Sequence, residues 1–296
     1  MKRILVTGVN GQLGAELLRV LAPIANIQVL GTTRAKLDLA EPDSLRSAIA
    51  DLDPHIVLSC AAYTAVDKAE TEAELARQIN AIAPGSIARE TAKRGAKLIH
   101  ISTDYVFDGQ KGSPYLESDA TDAIGVYGQT KLDGERAVTQ ADPNAAIVRT
   151  AWVYGVGGTG NFVKTMLRVG ATREELRVVA DQVGSPSWTG DIATAIADLA
   201  LNHPDAAGVF HFTNSGVASW YDFAVAIFEE ARALGFPLAV ERVVPIATEE
   251  YPTPAQRPAY SVLSGRKLAE LRGAVPPHWR EGLRSMLAEL KAAGAA

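Results

Sequence analysis

Ile4-Leu5-Val6-Thr7-Gly8-Val9-Asn10-Gly11-Gln12-Leu13-Gly14 decides the fold of this chain. A short apolar run leads straight into glycines spaced three apart, and beyond them Leu13, Leu17, Leu18 and Leu21 recur at helical spacing. A strand that turns through Gly8, Gly11 and Gly14 into a helix brings bare backbone against a pyrophosphate at the helix N-terminus. Spacing alone is weak in a chain with 25 glycines. Position at the first strand-to-helix junction, where such a site must lie, gives it weight.

Outward from this turn the pattern repeats. Gln28-Val29-Leu30, Ile56 to Cys60, Lys97 to Ser102 and Ala146 to Arg149 read as short buried strands. Between them, Glu41 to Asp51, Glu72 to Arg94 (bent near Pro84) and Tyr127 to Gln140 read as helices. Strands alternating with helices predict an α/β fold, a doubly wound parallel sheet of Rossmann type. Past Arg149 the pattern loosens. A glycine loop, strands at Leu176 to Val179 and Val209 to Phe212, and helices at Asp191 to Leu201, Tyr221 to Leu234 and Trp279 to Lys291 follow. The expected division is a dinucleotide-binding domain of residues 1–150 plus about 175–214. A smaller, discontinuous α/β substrate domain takes about 151–174 plus 215–296, with a cleft between them.

Composition narrows the classes of function. Hydrophobic residues make up 47% and charged residues 21% of 296, ordinary for a globular protein, and no apolar run approaches a bilayer span. A net charge of -5 without a basic cluster argues against a nucleic-acid partner. The single cysteine, Cys60, excludes an internal disulfide and fits a reducing cytoplasm. The five histidines show no metal-ligand spacing.

The second strand ends Leu30-Gly31-Thr32-Thr33-Arg34, without the acid that usually clamps the ribose hydroxyls of NAD. Arg34 can pair instead with a 2′-phosphate, and Asp38-Leu39, past the strand end, suits a contact with the adenine ring. This predicts NADPH as the cofactor, with NADH also accepted. Tyr127 and Lys131 stand one helical turn apart on one face. Reducing a ketone by hydride requires a proton for the nascent alkoxide, and an ammonium beside a phenol eases its release. The third member is a hydroxyl at the end of the strand closing Ser102-Thr103-Asp104, either Ser102 or Thr103.

The blocks Gly8 to Gly14, Ala61 to Glu70, Ser102 to Gly109, Tyr127-Gly128-Gln129-Thr130-Lys131, Arg149 to Gly155, Asn161-Phe162-Val163, Asp181 to Pro186, Ser219 to Phe223 and Arg257-Pro258 carry a family resemblance. Over nearly the whole chain they resemble the dTDP-4-dehydrorhamnose reductases, within the extended short-chain dehydrogenase/reductases. The resemblance implies reduction of the C-4 ketone of a dTDP-linked 4-dehydro-6-deoxy sugar, with Tyr127 as proton donor and Lys131 its partner. It further implies that Thr103 and Asp104 touch the sugar and that Trp152 lines the substrate cleft. Gly11, Gln12 and Leu13 would lie under the pyrophosphate, Asp38 and Leu39 beside the adenosine half, and Ala62, Tyr63 and Thr64 along the cofactor. Ala151 and Ser187 stand where the family pattern leads one to expect serine and threonine.

Two other readings compete: a reductase or epimerase of another nucleotide-linked 4-ketosugar, and a non-catalytic NADP-binding regulatory subunit. Intact Tyr127, Lys131 and Thr103 argue against the second. The expected partner is the dTDP-sugar alone, with no nucleic acid or membrane, acting on a monomer or homodimer. Glu281 and Glu289 are candidate ligands for Mg2+ at a dimer interface, though solvated helix carboxylates are the simpler reading.

Overall fold

Ile4 and Val6 point to one side of the central sheet and Leu5 to the other, and all three are fully buried. A strand apolar on both faces belongs in a sheet covered on both faces. In the computed structural model, which describes residues 1–294, that sheet has six strands, all parallel.

In chain order the first region runs β1 (Lys2–Thr7), α1 (Gln12–Leu21), β2 (Ile27–Thr32), α2 (Pro42–Leu52) and β3 (Ile56–Ser59). It continues through α3 (Val66–Ala69), α4 (Ala73–Arg77), α5 (Ala83–Lys93), β4 (Lys97–Thr103), α6 (Val126–Ala141) and β5 (Ala146–Thr150). Then follow β6 (Val153–Tyr154), α7 (Phe162–Gly170), β7 (Glu175–Val179), β8 (Val183–Gly184), β9 (Ser187–Trp188) and α8 (Thr189–Asn202). The chain closes with β10 (Gly208–His211), β11 (Ala218–Ser219), α9 (Trp220–Ala233), β12 (Arg242–Ile246), α10 (Arg266–Arg272) and α11 (Trp279–Ala292).

The sheet order is β10-β5-β4-β3-β1-β2. The chain moves outward one way from β1 to β2 and the other way from β3, so the crevice lies beyond the carboxyl ends of β1 and β3. Helices α1 and α8 pack Leu13, Leu17, Ile192 and Ile196 on the face that carries Ile4, Val6, Leu58 and Val148. The opposite face, with Leu5, Val57, Leu98 and Ile147, meets Leu45, Ile49, Ile87 and Val138. A second core gathers Tyr154 of β6 with Val163, Phe223, Phe228, Leu283 and Met286 from the later helices.

Two expectations change. The strand Glu175–Val179, assigned by sequence to the cofactor half, pairs in parallel with Arg242–Ile246 and packs Leu176 and Val178 into the second core. The helix expected from Glu72 to Arg94 is interrupted by a π-helical turn over Gln78–Ile82. Its cause is Pro84, which has no N–H for the carbonyl of Asn80 four residues back. Among the described residues no helix is long and apolar enough to cross a membrane.

Candidate active site

A cleft of about 820 Å³ opens at the carboxyl ends of β1, β3, β4 and β5. Gly8 holds φ +72° there, and a Cβ on it would sit 2.9 Å from the Cα of Ala61. A Cβ on Gly14 would come within 2.3 Å of the Gly8 carbonyl oxygen. Gly11 caps α1 with no side chain, so the first N–H groups of that helix face the cleft unshielded. Thr7 clasps the switch point: its Oγ1 accepts from the N–H groups of Cys60 and Ala61, each at 3.1 Å. A backbone cradle that no side chain can enter, at a helix N-terminus, fits the pyrophosphate of a dinucleotide.

Gly8, Gly11, Gln12, Leu13, Gly14, Arg34, Asp38, Leu39, Ala62, Tyr63 and Thr64, the residues assigned to the cofactor by sequence, all line this cleft. Arg34 is not free at its mouth. Its Nε lies 3.3 Å from Asp38 Oδ2, and its side chain is 74% exposed, which leaves the outer edge of the guanidinium to solvent. Asp38 also accepts from the N–H of Ala40, the main cause that draws its carboxyl below the ordinary range. The glycine loop after β6 joins the same cleft: Asn161 donates to Gln12 Oε1 at 2.7 Å and to the Gly155 carbonyl at 2.8 Å.

Thr103, Asp104, Tyr127, Lys131 and Trp152 line the other end of the cleft. Tyr127 belongs to the first turn of α6, where Gly128 lets the helix approach the Tyr105 carbonyl; a Cβ there would be 2.2 Å away. Tyr105 meets the Tyr127 ring edge-on at 5.4 Å. Lys131 is buried one turn further on and donates to the Ile101 carbonyl at 2.6 Å. Ser102 and Thr103, alternatives by sequence, separate here. The Ser102 hydroxyl is spent on Glu135, whereas that of Thr103 reaches Asp104 Oδ1 at 2.9 Å in the cleft. Asp104 is 2% exposed, and its Oδ2 accepts no hydrogen bond. Trp152 takes a left-handed backbone, φ +48°, and stacks face to face on Trp220 at 3.5 Å.

Burial governs the electrostatics. It pushes the Tyr127 phenol up to about 12, against the opposing pull of the Thr103 hydroxyl, and Asp104 up to about 6 against Ser261 and Thr103. It lowers Lys131 to about 8, while Glu135 and Cys60 pull the other way. The sequence leads one to expect an ammonium that lowers the phenol. Here Lys131 is turned to the Ile101 carbonyl and the phenol is raised by desolvation.

Several contributors escape a reading of the sequence. Asn80, fully buried in the π-helical turn, accepts from the Tyr63 N–H at 2.8 Å and donates to the Tyr63 carbonyl at 3.0 Å. Its amide also donates to Thr130 Oγ1 at 3.3 Å, so one side chain joins the cofactor loop to α6. Glu135, one turn beyond Lys131, takes Arg149 Nε at 2.9 Å and Nη2 at 2.6 Å in an ion pair with both side chains 5% exposed. The Tyr127, Lys131, Glu135 stripe is legible from spacing; the Arg149 partner on β5 is not. Among the described residues no three acidic, histidine or cysteine side chains converge on a metal-sized site, and Glu289 faces Arg19 at 3.7 Å.

Comparison with known proteins agrees with this geometry. The chain matches the family described as the RmlD substrate binding domain over residues 1–292. It is 46% identical over 287 residues to a dTDP-4-dehydrorhamnose reductase of Burkholderia thailandensis, covering 94% of this chain and 95% of that one. It is 44% identical over 293 residues to the spore coat polysaccharide biosynthesis protein SpsK of Bacillus subtilis, covering 99% of each. The crystal structure of dTDP-4-dehydrorhamnose reductase from Bacillus anthracis in complex with NADP superposes with a TM-score of 0.91. That chain is 40% identical, and the match covers 98% of this chain and 100% of that one. A dinucleotide cradle, a tyrosine–lysine helix and matches that run the length of the chain converge: the protein belongs to the RmlD family, that of the dTDP-4-dehydrorhamnose reductases.

Proposed function

We propose that this chain reduces the C-4 ketone of dTDP-4-dehydro-6-deoxy-L-mannose to give dTDP-L-rhamnose, with Tyr127 as proton donor. The observation that carries the reading is the meeting of Thr103, Asp104, Tyr127, Lys131 and Trp152 in the same cleft as the Gly8–Gly14 turn. NADPH, when bound, supplies the hydride that adds to the ketone carbon. The protein's part is the proton and the orientation. At pH 7 a phenol raised to about 12 is neutral and carries the proton that the nascent alkoxide takes. Lys131, at about 8, is mostly charged, and its bond to Ile101 uses one of three N–H donors. His100 Nε2 lies 3.5 Å from the ammonium, and the donors that remain would serve the cofactor ribose and the phenolate left after transfer. Thr103 holds the substrate oxygen beside the phenol, and Asp104 Oδ2 is an acceptor for a sugar hydroxyl. The exposed edge of the Arg34 guanidinium would hold the 2′-phosphate and so favour NADPH, with NADH still used. We place the enzyme in the cytoplasm on the strength of its lone cysteine, and expect a monomer or homodimer.

The test is NADPH oxidation with dTDP-4-dehydrorhamnose beside its GDP and UDP counterparts, on wild type and Tyr127→Phe. Preference for the dTDP substrate is expected, with turnover roughly 100-fold lower in the variant and NADPH affinity unchanged. Turnover of the GDP or UDP sugar in preference refutes the substrate; a fully active variant refutes the proton donor.

A further inference from the structure

The catalytic helix α6 begins without a cap of its own. Gly125 precedes it and offers no side chain, and no acid lies in its first turn. The first N–H groups of a helix need partners from elsewhere, and an anionic one is favoured by the aligned peptide dipoles. Here the partner comes from 56 positions earlier: Glu70 Oε1 accepts the N–H of Val126 at 3.0 Å. Val126 is the residue immediately before Tyr127.

Glu70 sits at the end of α3, a turn that is itself anchored. Asp67 in that turn accepts from Arg257 Nη2 at 3.0 Å and from the N–H of Ala255 at 3.2 Å, tying it to the stretch Pro252 to Pro258. Tyr127 and Lys131 are therefore held by different means. Lys131 is one turn into the helix, buried and bonded to Ile101. Tyr127 is in the first turn, where helices fray, and its backbone depends on what fixes that turn.

We infer that Glu70 is a positioning residue for the reaction: it caps the first turn of the catalytic helix and so holds the Tyr127 hydroxyl at proton-transfer distance from the substrate. The inference rests on Tyr127 being the proton donor. It predicts a split between the two ends of the site. Loss of the cap displaces the tyrosine and slows turnover, while Lys131 and the glycine turn keep the cofactor.

The experiment compares Glu70→Ala, Glu70→Gln and Tyr127→Phe, singly and with Glu70→Ala added to Tyr127→Phe. NADPH affinity, read by fluorescence, reports that each variant is folded. Glu70→Ala is expected to lower kcat roughly tenfold, since an ångström of misplacement at a reacting group costs up to about 100-fold. Its NADPH affinity stays unchanged. Glu70→Gln, whose amide oxygen still accepts the Val126 N–H, keeps at least half of the wild-type kcat. In the Tyr127→Phe background, Glu70→Ala causes no further loss. An undiminished loss in that background, or a Glu70→Gln as slow as Glu70→Ala, overturns the inference. So does a fully active Glu70→Ala beside an inactive Tyr127→Phe. A fully active Tyr127→Phe overturns the proton-donor reading, and the inference with it.

Discussion

Replacing Lys131 with methionine separates what the active site needs from what the fold prefers. Lys131 is 2% exposed, and burial brings it from 10.5 to about 8. The groups around its ammonium are the Ile101 carbonyl, His100 at 3.5 Å, Glu135 and Cys60. His100 is pushed far down by burial and stays neutral, and the Cys60 thiol is held up at about 12. At about 1.4 kcal/mol for each tenfold change in proton affinity, carrying this charge costs the folded state about 3 kcal/mol at pH 7. Methionine removes that cost and fills the volume of the stem, but leaves the Ile101 carbonyl without its side-chain donor, worth about 1–3 kcal/mol. The variant is therefore at least as stable as wild type at pH 7, by up to about 2 kcal/mol, while losing turnover and cofactor affinity. The pH dependence gives the sign. Between about 8 and 10.5 the unfolded chain holds a proton on this lysine that the folded chain has released, so raising the pH favours wild type. Urea denaturation of cofactor-free wild type and Lys131→Met at pH 7 to 10 measures the difference. The wild type should gain on the variant by about 1.4 kcal/mol per pH unit above pH 8, with a constant gap below it. A gap that stays flat to pH 10, or a variant less stable by more than about 2 kcal/mol at pH 7, refutes the reasoning.

Arg34→Ala should weaken NADPH roughly fivefold and NADH hardly at all, since the guanidinium is exposed and already shared with Asp38. Kinetics with both cofactors decide it, and equal losses for the two would assign Arg34 to the surface. Glu135→Leu strands the Arg149 guanidinium in the interior and should cost about 3–5 kcal/mol in denaturation, whereas Glu135→Leu with Arg149→Met should cost much less. A double variant as unstable as the single would show that the pair itself, rather than the orphaned charge, carries the stability.

Features coded by neighbours in sequence were legible. The β1–α1 turn, the Tyr127/Lys131 face and the alternation of strands and helices each depend on residues a few positions apart, and the residues assigned by sequence to catalysis, cofactor and sugar all line one cleft. Features coded at a distance were not. Nothing near Glu175–Val179 announces that its partner is Arg242–Ile246, because a parallel pair needs a crossover of about a dozen residues or more and sets no upper limit on it. Glu135 reads as a surface helix acid until Arg149 arrives from β5. The π-helical turn is half legible: Pro84 marks the disruption, but not that Asn80 uses it to grip both Tyr63 and Thr130. Position at the strand end gives Ser102 and Thr103 equal standing and only the family resemblance favours Thr103; the buried carboxylate of Glu135, which takes the Ser102 hydroxyl, separates them physically.

The position of β10 at the edge of the central sheet bears on how the chain is made. By Thr150 a ribosome has delivered the glycine turn, the tyrosine–lysine helix and five of the six strands. It has not delivered α8, whose Ile192, Ala193, Ile196 and Leu199 cover Ile4, Val6, Leu58 and Val148, nor β10, which pairs with β5. The nascent chain thus carries an apolar face covered by α1 alone and, on β5, a strand edge without its partner, a template for pairing with any neighbouring chain. That exposure lasts while residues 151 to 211 are added, on the order of 3–12 s at the usual speed of synthesis.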